Sequence, residues 1–235
     1  MKVLAIDCSA KSVSAAIAEN GKLIAEGFLN IKLTHSETLM PIIEQLLSNS
    51  RLTLADIDAF AVTAGPGSFT GIRIGISAVK GMAFSEQKPV FAFSTLEAMA
   101  LSLANSKFLT GTVCGLMDAR RNQFYNALFK LENGKITRLT DDRTVEAEIL
   151  KDELKQYDSP LILMGDGAEL FYSLCGNDEV FSLAPETNRV QRAAGIALKA
   201  SIDEELIPAN PDALQAIYLR KSQAEREREE KLNNI

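Results

Sequence analysis

The chain has one histidine, no Cys-x-x-C pair, no excess of positive charge and no run of eighteen apolar residues, and each shortage removes a class of function. A single histidine, His35, cannot supply a His-rich metal site, and neither H-E-x-x-H nor a serine-histidine triad has local support. Cys8, Cys114 and Cys175 are odd in number and far apart, which argues against a disulfide framework or a zinc knuckle and for buried reduced thiols. A net charge of −6 leaves no overall attraction to phosphate, so this chain is expected to meet tRNA only through a complex. The start, MKVLAIDCSA, is too brief an apolar stretch for a signal peptide or a membrane span, and the expected location is the cytoplasm, with no membrane partner.

What is present is a core-forming α/β pattern. Of 235 residues, 46% are hydrophobic, enough for one large or two small domains. KVLAID reads as a buried strand, SVSAAIA alternates, and KLIAEGFL follows Asn20-Gly21, a strong hairpin signal. Leu39, Ile42, Ile43, Leu46 and Leu47 then recur at helical spacing behind a Thr34/Glu37 capping box. Pro41 either kinks this helix or sits in its first turn behind a later cap such as Thr38. IDAFAVTA is a strand, Ser68 to about Ser85 a helix, and PVFAFS a further strand.

The second half repeats the first. Both AIDCSAKSVSAAIAENGKLI and LMDARRNQFYNALFKLENGKI run from a strand ending in aspartate, Asp7 or Asp118, through a second strand to Glu-Asn-Gly-Lys. A helix in TVEAEILKDELKQ, the strand PLILMG and a helix from about Ala168 complete the unit. The expectation is two duplicated β-β-β-α-β-α subdomains, 1–100 and 101–219, followed by a charged tail, 220–235, that reads as a solvated helix or frayed end with scope to dock a partner. Two such units facing each other are the architecture of the actin-like ATPases and sugar kinases (the ASKHA fold), whose cleft holds a nucleotide.

Residues 64–75, AGPGSFTGIRIG, pose the functional question. The glycine spacing is one residue too long for a dinucleotide fingerprint, and no Lys-Ser or Lys-Thr follows as a Walker loop requires. An anion could still bind the free amides of a strand-to-helix turn at Gly67 to Phe69. The favoured reading is packing: Gly67, Gly71 and Gly75 lie at i, i+4 and i+8, a smooth face for close approach within the domain or against a partner. Three glycines at about 1 kcal/mol each in a helix ask for such a reason.

AVTAGPGSFTGIRIGISAVKGMA, with LTHSETLMPIIEQLL before it and YLRKSQAERE at the end, resembles the TsaB family, formerly called YeaZ. The resemblance implies a non-catalytic subunit, without cofactor, in the synthesis of threonylcarbamoyladenosine next to the tRNA anticodon. It also implies dimerisation with a TsaD-like catalytic subunit and an associated TsaE-like ATPase, while the sequence leaves open whether a homodimer precedes that pairing. TsaD-type proteins carry a metal-binding H-x-x-x-H after the strand that follows the glycine helix; here Thr95 and Met99 occupy those places. His35, Leu39, Ile43, Leu46, Gly67, Gly71 and Gly75 are the expected partner interface, His35 serving there or as a cap. Asp7 and Ser9 mark a vestigial nucleotide cleft, Asp7 as an inherited structural position. The competing reading is an autonomous ATPase or metallohydrolase that uses the cleft.

Overall fold

The computed structural model describes residues 1–220 except 105, 107, 158 and 176–178. The tail from 221 lies outside the described residues, so the reading made for it rests on sequence. Strands β1 (Lys2–Asp7), β2 (Val13–Glu19) and β3 (Lys22–Leu29) lead to α1 (His35–Asn49), β4 (Ala59–Gly65), α2 (Phe69–Glu86), β5 (Val90–Ser94) and α3 (Thr95–Leu101). The second half comprises β6 (Gly111–Asp118), β7 (Gln123–Glu132), β8 (Lys135–Arg138), β9 (Arg143–Glu146), α4 (Ala147–Leu154), β10 (Leu161–Met164), α5 (Ala168–Leu174), β11 (Phe181–Leu183), α6 (Glu186–Arg189) and α7 (Ala194–Ile202).

The two sheets have the same topology. One is ordered β3-β2-β1-β4-β5 and the other β8-β7-β6-β10-β11, with β9 also on β7. In each, three antiparallel strands precede two parallel ones reached through helices, which is the duplicated, actin-like α/β fold. The repeated Glu-Asn-Gly-Lys forms the same turn twice: Asn20 and Gly21 have φ of 48° and 75°, Asn133 and Gly134 of 52° and 76°, the positive pair that a two-residue hairpin demands.

Local signals explain most of the ends. The Thr34 amide and hydroxyl both donate to the Glu37 carboxylate, at 3.0 and 2.7 Å, and start α1 there. Pro41 therefore lies inside α1, and a start behind Thr38 does not occur. Ser68 caps α2 by accepting from the Gly71 amide at 3.2 Å. The stretch TVEAEILKDELKQ departs from expectation: Thr144 and Val145 belong to β9, paired with Tyr125 and Phe124, and the helix starts at Ala147. Two β-branched or polar residues beside an open stretch of β7 favour the ladder over another helical turn.

Side chains alternate across each sheet and build layers. Leu4, Ile6, Ile17, Phe60 and Val62 face α1 and α2, while Val3, Ala5, Ala16, Ala18 and Ala61 face α7. The alanine face lets α7, itself lined by Ala193, Ala197 and Ala200, approach closely. On the other sheet, Leu96 and Met99 of α3 cover one face and α4 and α5 the other. Helices α3 and α7 thus form a middle layer shared by both halves, and the expected boundary at residue 100 falls within α3.

Candidate functional site

The ends of β1, β4 and β6 meet at a cleft of about 400 Å³ between the halves. Its walls are Ser9 to Lys11, Gly67 to Phe69, Met117 to Arg120, Tyr125 and Asp166, with Arg220 at one side. The duplicated aspartates do the same local work. Asp7 Oδ1 accepts from the Ser9 amide at 2.9 Å, and Asp118 Oδ1 accepts from the Arg120 amide at 2.7 Å, each closing a turn two residues on. Asp7 is 1% exposed, and its Oδ1 also accepts the Ser9 hydroxyl at 2.6 Å. Burial pushes its carboxyl above the usual carboxylate range, against the opposing pull of the Ser9 donors. Asp166, whose Oδ1 accepts an N–H from Gln191 at 2.9 Å, is likewise raised by burial of its carboxyl among the cleft walls, with Asp118 adding repulsion.

The glycine turn is occupied by the chain itself. The Ser68 amide donates to the Ser9 carbonyl at 2.7 Å, so one amide of the anion cradle is already used. Gly67, at φ 153°, is obligatory: a Cβ there would lie 2.2 Å from the Ser9 carbonyl oxygen. Phe69 stacks on Tyr218 with ring centroids 4.2 Å apart. Gly71 is pressed against the Cys8 carbonyl and the His35 ring, and Gly75 against Cys8 and Ile6. His35 Nε2 bonds the Ala10 carbonyl at 2.8 Å, fixing the first loop to the start of α1.

These placements correct the expected interface. Leu39, Ile43 and Leu46 are 1%, 2% and 7% exposed and lie in the core beneath α1, and the Gly71/Gly75 stripe faces the chain's own β1. An i, i+4 stripe marks the buried side of a helix without saying which body buries it. The outward residues are different ones: Ile31, Leu33 and Met40, at 48%, 53% and 48% exposed, and on α2 Thr70, Ser77 and Gly81, with Ile74 half-buried beside them. A groove of about 610 Å³ runs between Ile31 to Ser36 and the Thr70/Ile74 side of α2. Asp166, Gln191 and Tyr218 were not singled out in the sequence because their neighbours are remote along it.

Thr95 and Met99 are both 0% exposed. Met99 belongs to the core of the second half, its sulfur 3.0 Å from where a Cβ on Gly165 would stand. A hydroxyl and a thioether packed in that way do not fit a histidine-bound metal. Among the described residues, no group of three His, Cys, Asp or Glu could hold a metal ion, and no helix is long and apolar enough to cross a membrane.

Comparison with known proteins defines first the class. The family model for TsaD, tRNA N6-adenosine threonylcarbamoyltransferase, matches residues 29–223, most of this duplicated fold. Within that class the relatives are more specific. The tRNA threonylcarbamoyladenosine biosynthesis protein TsaB of Bacillus subtilis is 34% identical over 170 residues, covering 72% of this chain and 73% of its own. The protein of the same name from Escherichia coli is 29% identical over 209 residues, covering 88% and 85%. A solved structure, YeaZ from Pseudomonas aeruginosa, superposes with a TM-score of 0.73 at 25% identity over 93% of this chain and 99% of that one. The chain belongs to the TsaB (YeaZ) family.

Proposed function

We propose that this chain is a non-catalytic subunit in threonylcarbamoyladenosine biosynthesis, which pairs with a TsaD-like transferase and supports transfer of the threonylcarbamoyl group to the adenosine beside the tRNA anticodon. The observation that carries the reading is the pair Thr95 and Met99, buried at the positions where TsaD-type proteins hold their metal. The subunit brings the fold without the ligands, and its contribution is a surface. A TsaE-like ATPase joins the assembly, and tRNA is met through the complex, in keeping with a net charge of −6.

The surface best suited to the partner is the outer side of α1 and α2 with the Ile31 to Ser36 groove. Gly81 supports it: it lies in the last turns of α2, exposed, with none of the described residues within 4 Å of a Cβ placed there. A helical glycine costs about 1 kcal/mol against alanine. No contact among the described residues calls for it, and a closely approaching neighbour would. Gly81→Leu is therefore expected to leave the isolated chain at least as stable and to weaken association with the TsaD-like protein roughly tenfold or more, overpacking of a tight contact costing about 1–3 kcal/mol. Leu33→Asp should do the same through the groove. Full-strength binding by both variants, measured by calorimetry, would remove this face from the assembly. A second copy of the chain competing for the same face would show as a homodimer that the two variants also dissolve.

At the cellular level, depletion of the chain is expected to abolish threonylcarbamoyladenosine in tRNAs that read codons beginning with A, while the threonylcarbamoyl-adenylate precursor is still made. Nucleoside analysis showing unchanged modification would overturn the assignment. The purified chain should not turn over ATP, since the turn that would grip phosphate donates its Ser68 amide to Ser9. Steady hydrolysis lost on Asp7→Ala would favour the autonomous ATPase instead.

A further inference from the structure

The segment after α7 returns to the first half. The Ala209 amide donates to the Val90 carbonyl at 2.7 Å, Leu214 is buried in the core under α2, and the Ile217 amide donates to the Ala64 carbonyl at 2.7 Å. It then crosses. Tyr218 stacks on Phe69 of the first half with an interplanar angle of 6°, Leu219 packs on the core of the second half, and the Arg220 guanidinium donates to the Ala119 carbonyl, one residue beyond Asp118. Residues 214–220 therefore tie the two halves together at the mouth of the cleft.

The sequence is shaped for this crossing at a distant point. Gly65 has a φ of 126°, and a Cβ there would sit 2.3 Å from the Ile217 carbonyl oxygen. Only glycine accepts both the conformation and the contact. Arg73 adds a second hold, donating from Nε to the Tyr218 hydroxyl at 2.7 Å with its guanidinium 5.5 Å from the ring centroid. Yet the crossing itself is lightly buried: Ile217 is 51% exposed and Tyr218 36%. Anchored at Leu214 and held beyond it by one ring stack, the partly buried Leu219 and a few hydrogen bonds, the strap can release locally while the sheets stay intact.

We propose that residues 214–220 are a latch that fixes the angle between the halves, with the Tyr218–Phe69 stack as its catch, and that the cleft opens when the catch is released. The shared α3/α7 layer is the hinge and Arg220 the last contact to part from the second half. Because Arg73 and Phe69 belong to the start of α2, a molecule that engages that end of the helix acts directly on the catch.

The test uses the full chain. The three native cysteines are buried, so dyes can be attached selectively at Ser77→Cys on α2 and Glu148→Cys on α4, exposed positions on the two outer layers. Energy transfer is read on single molecules, at a dilution that excludes self-association. The parent should give one narrow distribution. Tyr218→Ala should add a more separated population, about tenfold larger than in the parent, a factor equal to about 1.4 kcal/mol. Tyr218→Phe keeps the stack and should match the parent, and Arg73→Ala should give an intermediate result. A distribution unmoved by Tyr218→Ala overturns the latch, as does Tyr218→Ala acting only through a lower melting temperature with no separated population in the folded chain. Should Tyr218→Ala fail to fold, an unmoved distribution in Arg73→Ala has the same force.

Discussion

Alanine at Gly71 is expected to lower the melting temperature of the isolated chain by roughly 3–10 °C, whereas alanine at Gly75, one helical turn further on, should raise it by about 2–4 °C. The two residues share a face of α2, and the difference lies in what that face meets. At Gly71 a Cβ would stand 2.1 Å from the Cys8 carbonyl oxygen and 2.8 Å from a His35 ring carbon. Neither neighbour can retreat cheaply. The Cys8 carbonyl lies between Asp7 and Ser9, whose turn is closed by two hydrogen bonds, and His35 is held to Ala10. Relief must come from moving α2 away from β1, which loosens Ile72 and Ile76 in the core. At Gly75 the nearest atoms are Cys8 Cβ at 3.5 Å and Cys8 Sγ and Ile6 Cγ2 at 3.7 Å, ordinary contact distances. There the methyl fills space, and the helix gains about 1 kcal/mol of propensity. Thermal melts of the two variants decide the matter. Changes of the same sign would mean that α2 does not sit on β1 as described.

That pair also marks how far sequence reading reaches. Of the expected stripe, Gly71 marks a close approach, Gly75 sits at ordinary contact distance, and Gly67 lies outside the helix, before the Ser68 cap, where its positive φ and the Ser9 carbonyl require glycine. Which surface approaches is not local, and the answer here is the chain's own Cys8 and Ser9, more than fifty positions earlier. The Thr34/Glu37 cap, the two Asn-Gly hairpins and the repeated strand-end aspartates were legible because each is decided within four residues. Strand β9 was not, since Thr144 and Val145 take strand geometry only because β7 offers them an edge. Helix α7 went unread because AGIALKASI is apolar and small on most sides, as suits a layer between two halves, and lacks the polar stripe that reveals a surface helix. The Tyr218 crossing depends on Gly65, Phe69 and Ala119, which only the fold assembles.

Removing the Asp7 carboxylate should be among the most damaging single changes, and replacing it by its amide among the most tolerated. Ser9 is 0% exposed, and its amide and hydroxyl both donate to Asp7 Oδ1, so Asp7→Ala leaves two buried donors without an acceptor. Each such group costs about 1–3 kcal/mol, and the turn that carries the Ser68 contact loosens with them. A drop of roughly 5–15 °C in melting temperature follows for a chain of this size. Asp7→Asn keeps an oxygen for both Ser9 donors. Its new N–H group takes the place of Oδ2, which is buried without an aligned partner, beside a Thr63 hydroxyl in the same condition. The two variants also differ from the parent in pH dependence. Burial raises the folded-state value of Asp7 above its ordinary one, so the folded chain holds this proton more tightly than the unfolded chain. The stability contributed by the protonated carboxyl is then complete below the ordinary carboxylate value and is lost as pH rises through the raised one. Asparagine cannot ionise and escapes that loss. Denaturant unfolding from about pH 3 to about pH 8 should show the stability of Asp7→Asn gaining on the parent as pH rises, then running parallel to it above the raised value. A difference that stays flat, or that shrinks with rising pH, would mean that Asp7 is ionised at little cost where it lies and that its place at the end of β1 serves charge rather than the turn.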